Sequence, residues 1–518
     1  MKYYLTTPIY YINDKPHIGH AYTTIVSDIL AHYHRLRGAD VFFLTGVDEN
    51  SLKNIEAAEK LGMGDRIQEY LDMQSALWKQ TWDSLGITYT DFIRTTEERH
   101  KQGVEKFWKR VRENGDIYKG TYEGFYCVGC EAFIRETDLV DGKCQHHDKE
   151  PKKLIEENYF FALSKYRERL LAYIEQNPDF VQPQSRRNEI VNYIRDHLED
   201  VSISRQSMKW GIPVPGDPEQ VVYVWFDALI NYLTGIGYGW DDELFARYWP
   251  ADLHLVGKEI IKFHCALWPA MLMSAGISLP ARVFAHGFFT IDGQKMSKSL
   301  GNAIDPVEIA KVHGMDAMRY FLLREVPFGG DGDFSYERFS KRYESDLSKG
   351  VGNFVSRVLA MAEKMVSGSI SEKMEPDTIF SQGISDQVGD DSIHERVQEV
   401  WQEYEETFDR IRPDEALDAV WRLISFGDKY IEEKKPWAIL KGNTEEYTKI
   451  IGILLELVRH VSLLLYPFMP ETALKVWRSL GVEEPHKEQY LAKLKEWRAV
   501  PITKIERGEA LFPLNPKP

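Results

Sequence analysis

Three groups of residues in this 518-residue chain have types and spacings that could do chemistry. In "KPHIGHAYT" (15–23), His17 and His20 stand three apart with Gly19 between them, directly after the apolar run "YYLTTPIYYI". On a helix such a pair is a surface couple or half a metal site. Taken alone the four residues favour that reading; the competing one is that they open a helix beneath a nucleotide, with the glycine admitting phosphate or ribose to the backbone. The second group is Cys127-x2-Cys130, thirteen residues, then Cys144-x2-His147. Each pair lets two side chains from one tight turn reach a single ion, so the spacing suits tetrahedral zinc, with His147 preferred to His146 by symmetry. Four protein ligands leave no open position, so the expected metal is structural. The third is "DGQKMSKSLGN" (292–302), where Lys295 and Lys298 lie three apart among serines and a glycine. Two ammonium groups on a loop make either an exposed basic turn or a clamp for a departing polyphosphate.

The elements that must hold these residues alternate between strand and helix patterns. "YYLTTPIYY" and "DVFFLTGVDE" read as strands, and "HAYTTIVSDILAHYHRLRG" between them reads as a helix ending at Gly38. Such units imply a parallel sheet. The pattern breaks into short Gly- and Cys-containing segments at about residue 116 and resumes in "VVYVWFDALI", "DLHLVG" and "RVFAHGFFTI". From about 346 onward, four long stretches repeat apolar residues at helical spacing, which predicts a bundle. A polar Gly/Ser/Asp-rich segment at 367–391 is expected to be a loop. Cys265, alone in an apolar helix, is expected in the core.

Composition narrows the class of molecule. A content of 43% hydrophobic and 28% charged residues belongs to a globular enzyme. The N-terminus lacks the pattern of a signal peptide, and no apolar run is long and uncharged enough to span a membrane, since "GILLELVRHVSLLLY" carries Glu456 and Arg459. Four cysteines suit a reducing, cytoplasmic compartment. The net charge of −16 argues against a general nucleic-acid coat but leaves room for an RNA partner met by a local basic surface.

"HIGH" and "KMSKS" occur together in this order, and with "TTPIYYINDKPHIGHAYTT", "YCVGCEAF", "VYVWFDALINY", "GKEIIKFHCALWPAML" and "GGDGDFSYERF" the chain resembles the class I aminoacyl-tRNA synthetases. Within that class it is similar to the methionyl family of the bacterial, zinc-carrying type, from about residue 3 to about 500. The resemblance implies a split Rossmann-like α/β catalytic domain with an inserted zinc-bearing connective module, followed by an all-α helical bundle. The expected divisions are 1–115 and 223–292 for the two catalytic halves, 116–222 for the insertion, and 293–345 for the KMSKS and stem-contact segment. The helical anticodon-binding domain would take 346–500 and a tail 501–518. The stretch 116–222 is largely the zinc module, so no editing domain is expected.

What the family implies for residues follows by position. Methionine would be activated to methionyl-adenylate with release of pyrophosphate, then passed to the 3′ end of initiator or elongator tRNA(Met). His17, Gly19 and His20 would open a helix facing the ATP phosphates, joined at the ATP site by Gly257, Glu259 and His286. Lys295 and Lys298 would close on the pyrophosphate, and Mg²⁺ would accompany ATP. Methionine would lie among Pro8, Ile9, Tyr11, Trp225, Ala228, Leu229, Tyr232, Ile260, His264 and Trp268, with Asp48 taking its ammonium. Ordinary core packing is the alternative for these aromatics. The i, i+4, i+8 spacing of Ile260, His264 and Trp268 fits one helical face either way. Asn353, Arg357 and Trp437 would read the anticodon, with Cys127, Cys130, Cys144 and His147 on structural Zn²⁺.

Two departures stand out. The family's "GTDEHG" is "GVDENS" here, so Val47, Asn50 and Ser51 replace threonine, histidine and glycine, and its "GKDI" is "GKEI", with Glu259 in place of aspartate. The chain ends in "LFPLNPKP" without an appended tRNA-binding domain, so a monomer is expected. Three other readings compete: a cysteinyl enzyme of the same class, an RNA-binding zinc protein with vestigial loops, and a simple nucleotidylyltransferase. Amino-acid-dependent exchange of pyrophosphate into ATP separates them.

Overall fold

The computed structural model describes all residues except 128–131, 135–138, 145–148, 296–303, 368–390, 441–442, 483–490, 501, 503 and 515–518. Cys130, His147, Lys298 and nearly all of the expected 367–391 loop therefore lie outside the described residues. Two compact units divide the chain: Lys2–Ser27 with Val41–Phe288, and Met1, Asp28–Asp40 with Phe289–Pro518.

The first unit is built on a six-stranded sheet. Its order is Asp91–Arg94, Asp40–Asp48, Lys2–Tyr11, Leu253–Gly257, Val283–His286, Val181–Gln182. Parallel registers run Leu44↔Asp91, Leu5↔Leu253, Gly257↔His286 and Val283↔Val181. The strands are buried nearly throughout, as expected for a parallel sheet covered by helices. From Lys2–Tyr11 the chain first adds Asp40–Asp48 on one side and only much later Leu253–Gly257 on the other. That reversal of strand order is a topological switch point, where the carboxyl ends of adjoining strands leave a crevice.

The helix Ile18–Leu36 forms because Ile18, Ala21, Tyr22, Ile25, Val26, Ile29 and Tyr33 recur at helical spacing, and all of them are buried. It begins two residues before the start expected from its apolar pattern. The insertion is antiparallel: Val201–Ser202, Lys152–Phe161, Ile117–Cys127 and Ala132–Ile134 pair in that order. A hairpin, Leu139–Val140 with Lys143–Cys144, turns through Asp141 and Gly142 at φ of 51° and 77°.

The second unit carries a small sheet, Phe289–Ile291 with Gln294–Lys295 and Gly332–Phe334, then helices. Asn353–Ser367, Asp391–Asp409, Pro413–Lys434, Thr444–Leu465 and Pro470–Ser479 are the longest of these. Thr444–Leu465 is buried almost all round, and the charges of Glu456 and Arg459 survive there by pairing at 2.6 Å. Burial alone would raise the Glu456 carboxyl, but hydrogen bonds from His460 and Arg459 pull it down to about 2. No helix among the described residues is long and apolar enough to cross a membrane.

Candidate active site at the carboxyl ends of the sheet

Several residues of the first unit singled out in the sequence sit at the carboxyl ends of neighbouring strands. Pro8, Ile9 and Tyr11 end Lys2–Tyr11, and Asp48 ends Asp40–Asp48. Gly257 ends Leu253–Gly257, and His286 ends Val283–His286.

His17 and His20 organise the helix start with their own rings. The Gly19 N–H donates to His17 Nδ1 at 3.1 Å, and the His17 N–H donates to His20 Nδ1 at 3.2 Å. This is the reciprocal pattern of a capping box, with imidazoles in place of hydroxyl and carboxylate. The rings stack with centroids 3.7 Å apart. Because both Nδ1 atoms accept, each ring carries its proton on Nε2. The Gly19 N–H is thus committed to His17 Nδ1, and the remaining ring N–H of each imidazole is on Nε2. A Cβ at Gly19 would stand 3.0 Å from His17 Cε1, a tight contact that the ring would relieve only by moving a few tenths of an ångström.

His286 is turned inward. Its Nε2 meets Thr23 Oγ1 at 2.7 Å and its Nδ1 meets the Gly287 carbonyl at 2.8 Å, so both ring nitrogens are engaged. Burial lowers its pKa to about 4. Glu259 bends its carboxylate back onto the Gly257 backbone.

Around Asp48 the loop is held on every side. The Asn50 N–H donates to Asp48 Oδ1 at 3.0 Å, and Asn54 Nδ2 donates to the Asp48 carbonyl at 2.9 Å. Trp210 Nε1 donates to the Glu49 carbonyl at 3.0 Å. Ser51, where the family has glycine, caps the helix Leu52–Lys60 by accepting from the Lys53 N–H at 3.1 Å. Asn50 Nδ2 donates to Asp227 Oδ2 at 2.7 Å.

The aromatic group is well gathered. Tyr232, His264, Trp268, Leu229 and Ala228 are buried, whereas Pro8, Ile9, Tyr11, Trp225 and Ile260 are half-buried. Tyr232 Oη donates to His264 Nε2 at 2.7 Å, while His264 Nδ1 donates to the Ile260 carbonyl at 3.0 Å. Trp268 Nε1 donates to His254 Nε2 at 3.3 Å. The regular helical face expected for Ile260, His264 and Trp268 is interrupted: Lys258–Ile260 is a 3₁₀ turn and Phe263–Leu267 a π turn. Phe263, the first residue of the π turn, lies flat against Trp225, centroids 3.8 Å apart, a contact of which the spacing carries no sign. The Trp225 indole N–H has no partner among the described residues.

Elsewhere, Cys127 and Cys144 are both buried, at a strand end and on a hairpin. Among the described residues no three His, Cys, Asp or Glu side chains gather as a metal site. Lys295 ends a short strand. In the helical unit Trp437 is 53% exposed on the short helix Pro436–Ile439. Asn353 is exposed at the head of Asn353–Ser367, and Arg357 pairs with Asp428 at 3.1 Å and Glu432 at 2.5 Å.

A family model described as tRNA synthetases class I (M) matches residues 3–146 and 130–359, and another, the anticodon binding domain of methionyl tRNA ligase, matches 382–511. The chain belongs to the methionyl-tRNA synthetases of class I. The methionine–tRNA ligase of Thermotoga maritima is 48% identical over 99% of this chain and 80% of its own length. That of Bacillus subtilis is 42% identical over 99% of this chain and 77% of its own length. Mycobacterium tuberculosis methionyl-tRNA synthetase in complex with methionyl-adenylate matches at a TM-score of 0.91 and 40% identity, over 99% of this chain and all of that one. Members of this family activate methionine with ATP and transfer it to tRNA, and that two-step ligation is the activity of this chain.

Proposed function

We propose that methionine and ATP meet in the crevice at the sheet's switch point, and that the residues gathered at those strand ends carry the first step. The observation that carries this reading is their convergence: Asp48, Gly257, His286 and the His17–His20 pair all follow the carboxyl ends of four adjoining strands. In this reading the Nε2–H groups of His17 and His20 bind phosphoryl oxygens as charge redistributes during attack by the methionine carboxylate. Gly19, Gly257 and Glu259 shape the adenosine site. His286, with both nitrogens engaged, serves as a fixed neutral wall. Lys295 and Lys298 neutralise the departing pyrophosphate, and Mg²⁺ accompanies ATP as it does throughout this class.

Asp48 pairs with the substrate ammonium. Trp225, Tyr232, His264 and Trp268, with Pro8, Ile9, Tyr11, Ala228, Leu229 and Ile260, enclose the thioether, which favours polarisable aromatic edges. Asn353, Arg357 and Trp437 read the tRNA(Met) anticodon of both initiator and elongator species. The exposed indole supports this reading, since a stacking face for an unstacked base must be open to solvent. Cys127, Cys130, Cys144 and His147 would hold a structural Zn²⁺. The buried Cys127 and Cys144 fit that role. The domain divisions expected from the resemblance, a monomeric state and a cytoplasmic location complete the proposal.

The decisive experiment is ATP–pyrophosphate exchange with each amino acid, on the native chain and on His17→Ala, His20→Ala and Asp48→Ala. Methionine alone should drive exchange, with kcat falling in the histidine variants and methionine binding weakening in Asp48→Ala. Unchanged exchange in both histidine variants would overturn the assignment of the site.

A further inference from the structure

A second set of buried polar residues links the loop after Asp48 to the helices Glu98–Glu113, Val224–Ala228 and Asn231–Thr234. Asn50 Nδ2 lies 2.7 Å from Asp227 Oδ2, Asp227 Oδ1 lies 2.7 Å from His100 Nε2, and His100 Nδ1 lies 2.8 Å from Thr234 Oγ1. Asn50 is 3% exposed and the other three are fully buried. A buried carboxylate without donors is costly, and here each oxygen of Asp227 has one.

The arrangement joins two parts of the proposed methionine site. Asp227 belongs to the helix Val224–Ala228, which also bears Trp225 and Ala228. Asn50 belongs to the loop of Asp48, and its backbone N–H holds Asp48 Oδ1 at 3.0 Å. One residue therefore grips the ammonium-binding carboxylate with its main chain and the pocket helix with its side chain. Asn50 is also the position at which this chain departs from the family's histidine.

We propose that Asn50, anchored on Asp227 and His100, is a positioning residue that sets the distance between Asp48 and the aromatic wall, and so tunes methionine binding. It acts through Asp48, and the proposal rests on the reading that Asp48 takes the substrate ammonium. Side chains that must be held within about half an ångström of a productive geometry need such a supporting set, with rotamers locked by packing and hydrogen bonds. Asp227 is well suited as the anchor, because charge-assisted hydrogen bonds are shorter and stronger than neutral ones.

The test is a double-mutant cycle on the full chain, with methionine Kd from calorimetry and kcat and ATP KM from pyrophosphate exchange. Asn50→Ala should weaken methionine binding about tenfold, the scale of one hydrogen bond to a charged group, with ATP KM unchanged. In an Asp48→Ala background the same substitution should add nothing. The exchange of roles in Asn50→Asp with Asp227→Asn keeps a donor facing an acceptor, so this pair should regain most of the lost affinity. It also supplies a readout should the alanine variant fold poorly. Native methionine affinity in a folded Asn50→Ala protein, or a full tenfold loss persisting without Asp48, overturns the proposal alone. Unchanged methionine affinity in Asp48→Ala overturns the ammonium reading and this proposal with it.

Discussion

The hydroxyl of Tyr232 donates to Nε2 of His264 at 2.7 Å, so a buried imidazole is held neutral between a phenol and the carbonyl of Ile260. Burial lowers the His264 pKa to about 4, and burial likewise holds His286 at about 4 and His254 well below its usual range.

These depressed values predict acid sensitivity. In the unfolded chain the imidazoles of His264 and His286 bind a proton near pH 6.5, while in the folded chain these two rings refuse it until about pH 4. Stability is therefore complete above about pH 6.5 and falls as the pH drops through that window, on the order of 3 kcal/mol for each ring. Urea unfolding at several pH values should show this slope, and His264→Gln should flatten it by one proton. An unaltered slope in that variant would refute burial of this ring as the source of the acid sensitivity.

Gly19→Ala should be a catalytic rather than a folding lesion. The added methyl would stand 3.0 Å from His17 Cε1 and 3.1 Å from Nδ1, so the ring must shift. Displacing a reacting-site group by about 1 Å costs on the order of 10²-fold in rate. The ring has to give by less than that, so exchange kcat should fall measurably but by less than about a hundredfold, with the melting temperature nearly unchanged.

Trp437→Ala should separate the two half-reactions. Loss of base–aromatic stacking costs about 1–3 kcal/mol, so kcat/KM for tRNA charging should fall roughly fivefold to 150-fold. Methionine-dependent pyrophosphate exchange, which needs no tRNA, should remain at the native level. A parallel fall in both rates would place the lesion in folding instead.

Zinc is tested by removal. Cys144 is wholly buried on its hairpin, so Cys144→Ser should abolish binding of a single zinc ion, measured by mass spectrometry of the metal content. Chelation should increase amide exchange in the strands Ile117–Cys127 and Lys152–Phe161 while leaving the parallel sheet protected. A metal content of zero in the native protein would refute the site.

Much of the architecture was legible because its signals are local. Buried strands alternating with amphipathic helices predict a parallel sheet, and the helices from 353 onward carry their period openly. Ser51 was readable too, since serine ahead of a helix is a common cap, although against the family's pattern it stands only as a departure. The imidazole capping box depends on ring orientation, which spacing does not specify. The Asn50–Asp227–His100–Thr234 chain joins three distant parts of the sequence, around residues 50, 100 and 227–234, none carrying a motif. Phe263 escaped notice because its partner Trp225 lies on a separate helix, Val224–Ala228, and spacing within one segment does not reveal such a contact.

Arg319 tests how the helical unit is held together. Its Nη2 stands 2.7 Å from Asp28 Oδ2, both side chains are almost fully buried, and its Nε donates to the Phe468 carbonyl at 2.8 Å. Removing one partner of such a pair strands a charge in low dielectric, which costs about 3–5 kcal/mol. Removing both leaves only the packing and backbone contacts to be lost. Arg319→Met should therefore destabilise the chain strongly in urea unfolding followed by tryptophan fluorescence, whereas Asp28→Leu with Arg319→Met should recover part of the loss. Additive losses in the double variant would show that Arg319 acts chiefly through the Phe468 carbonyl rather than through Asp28.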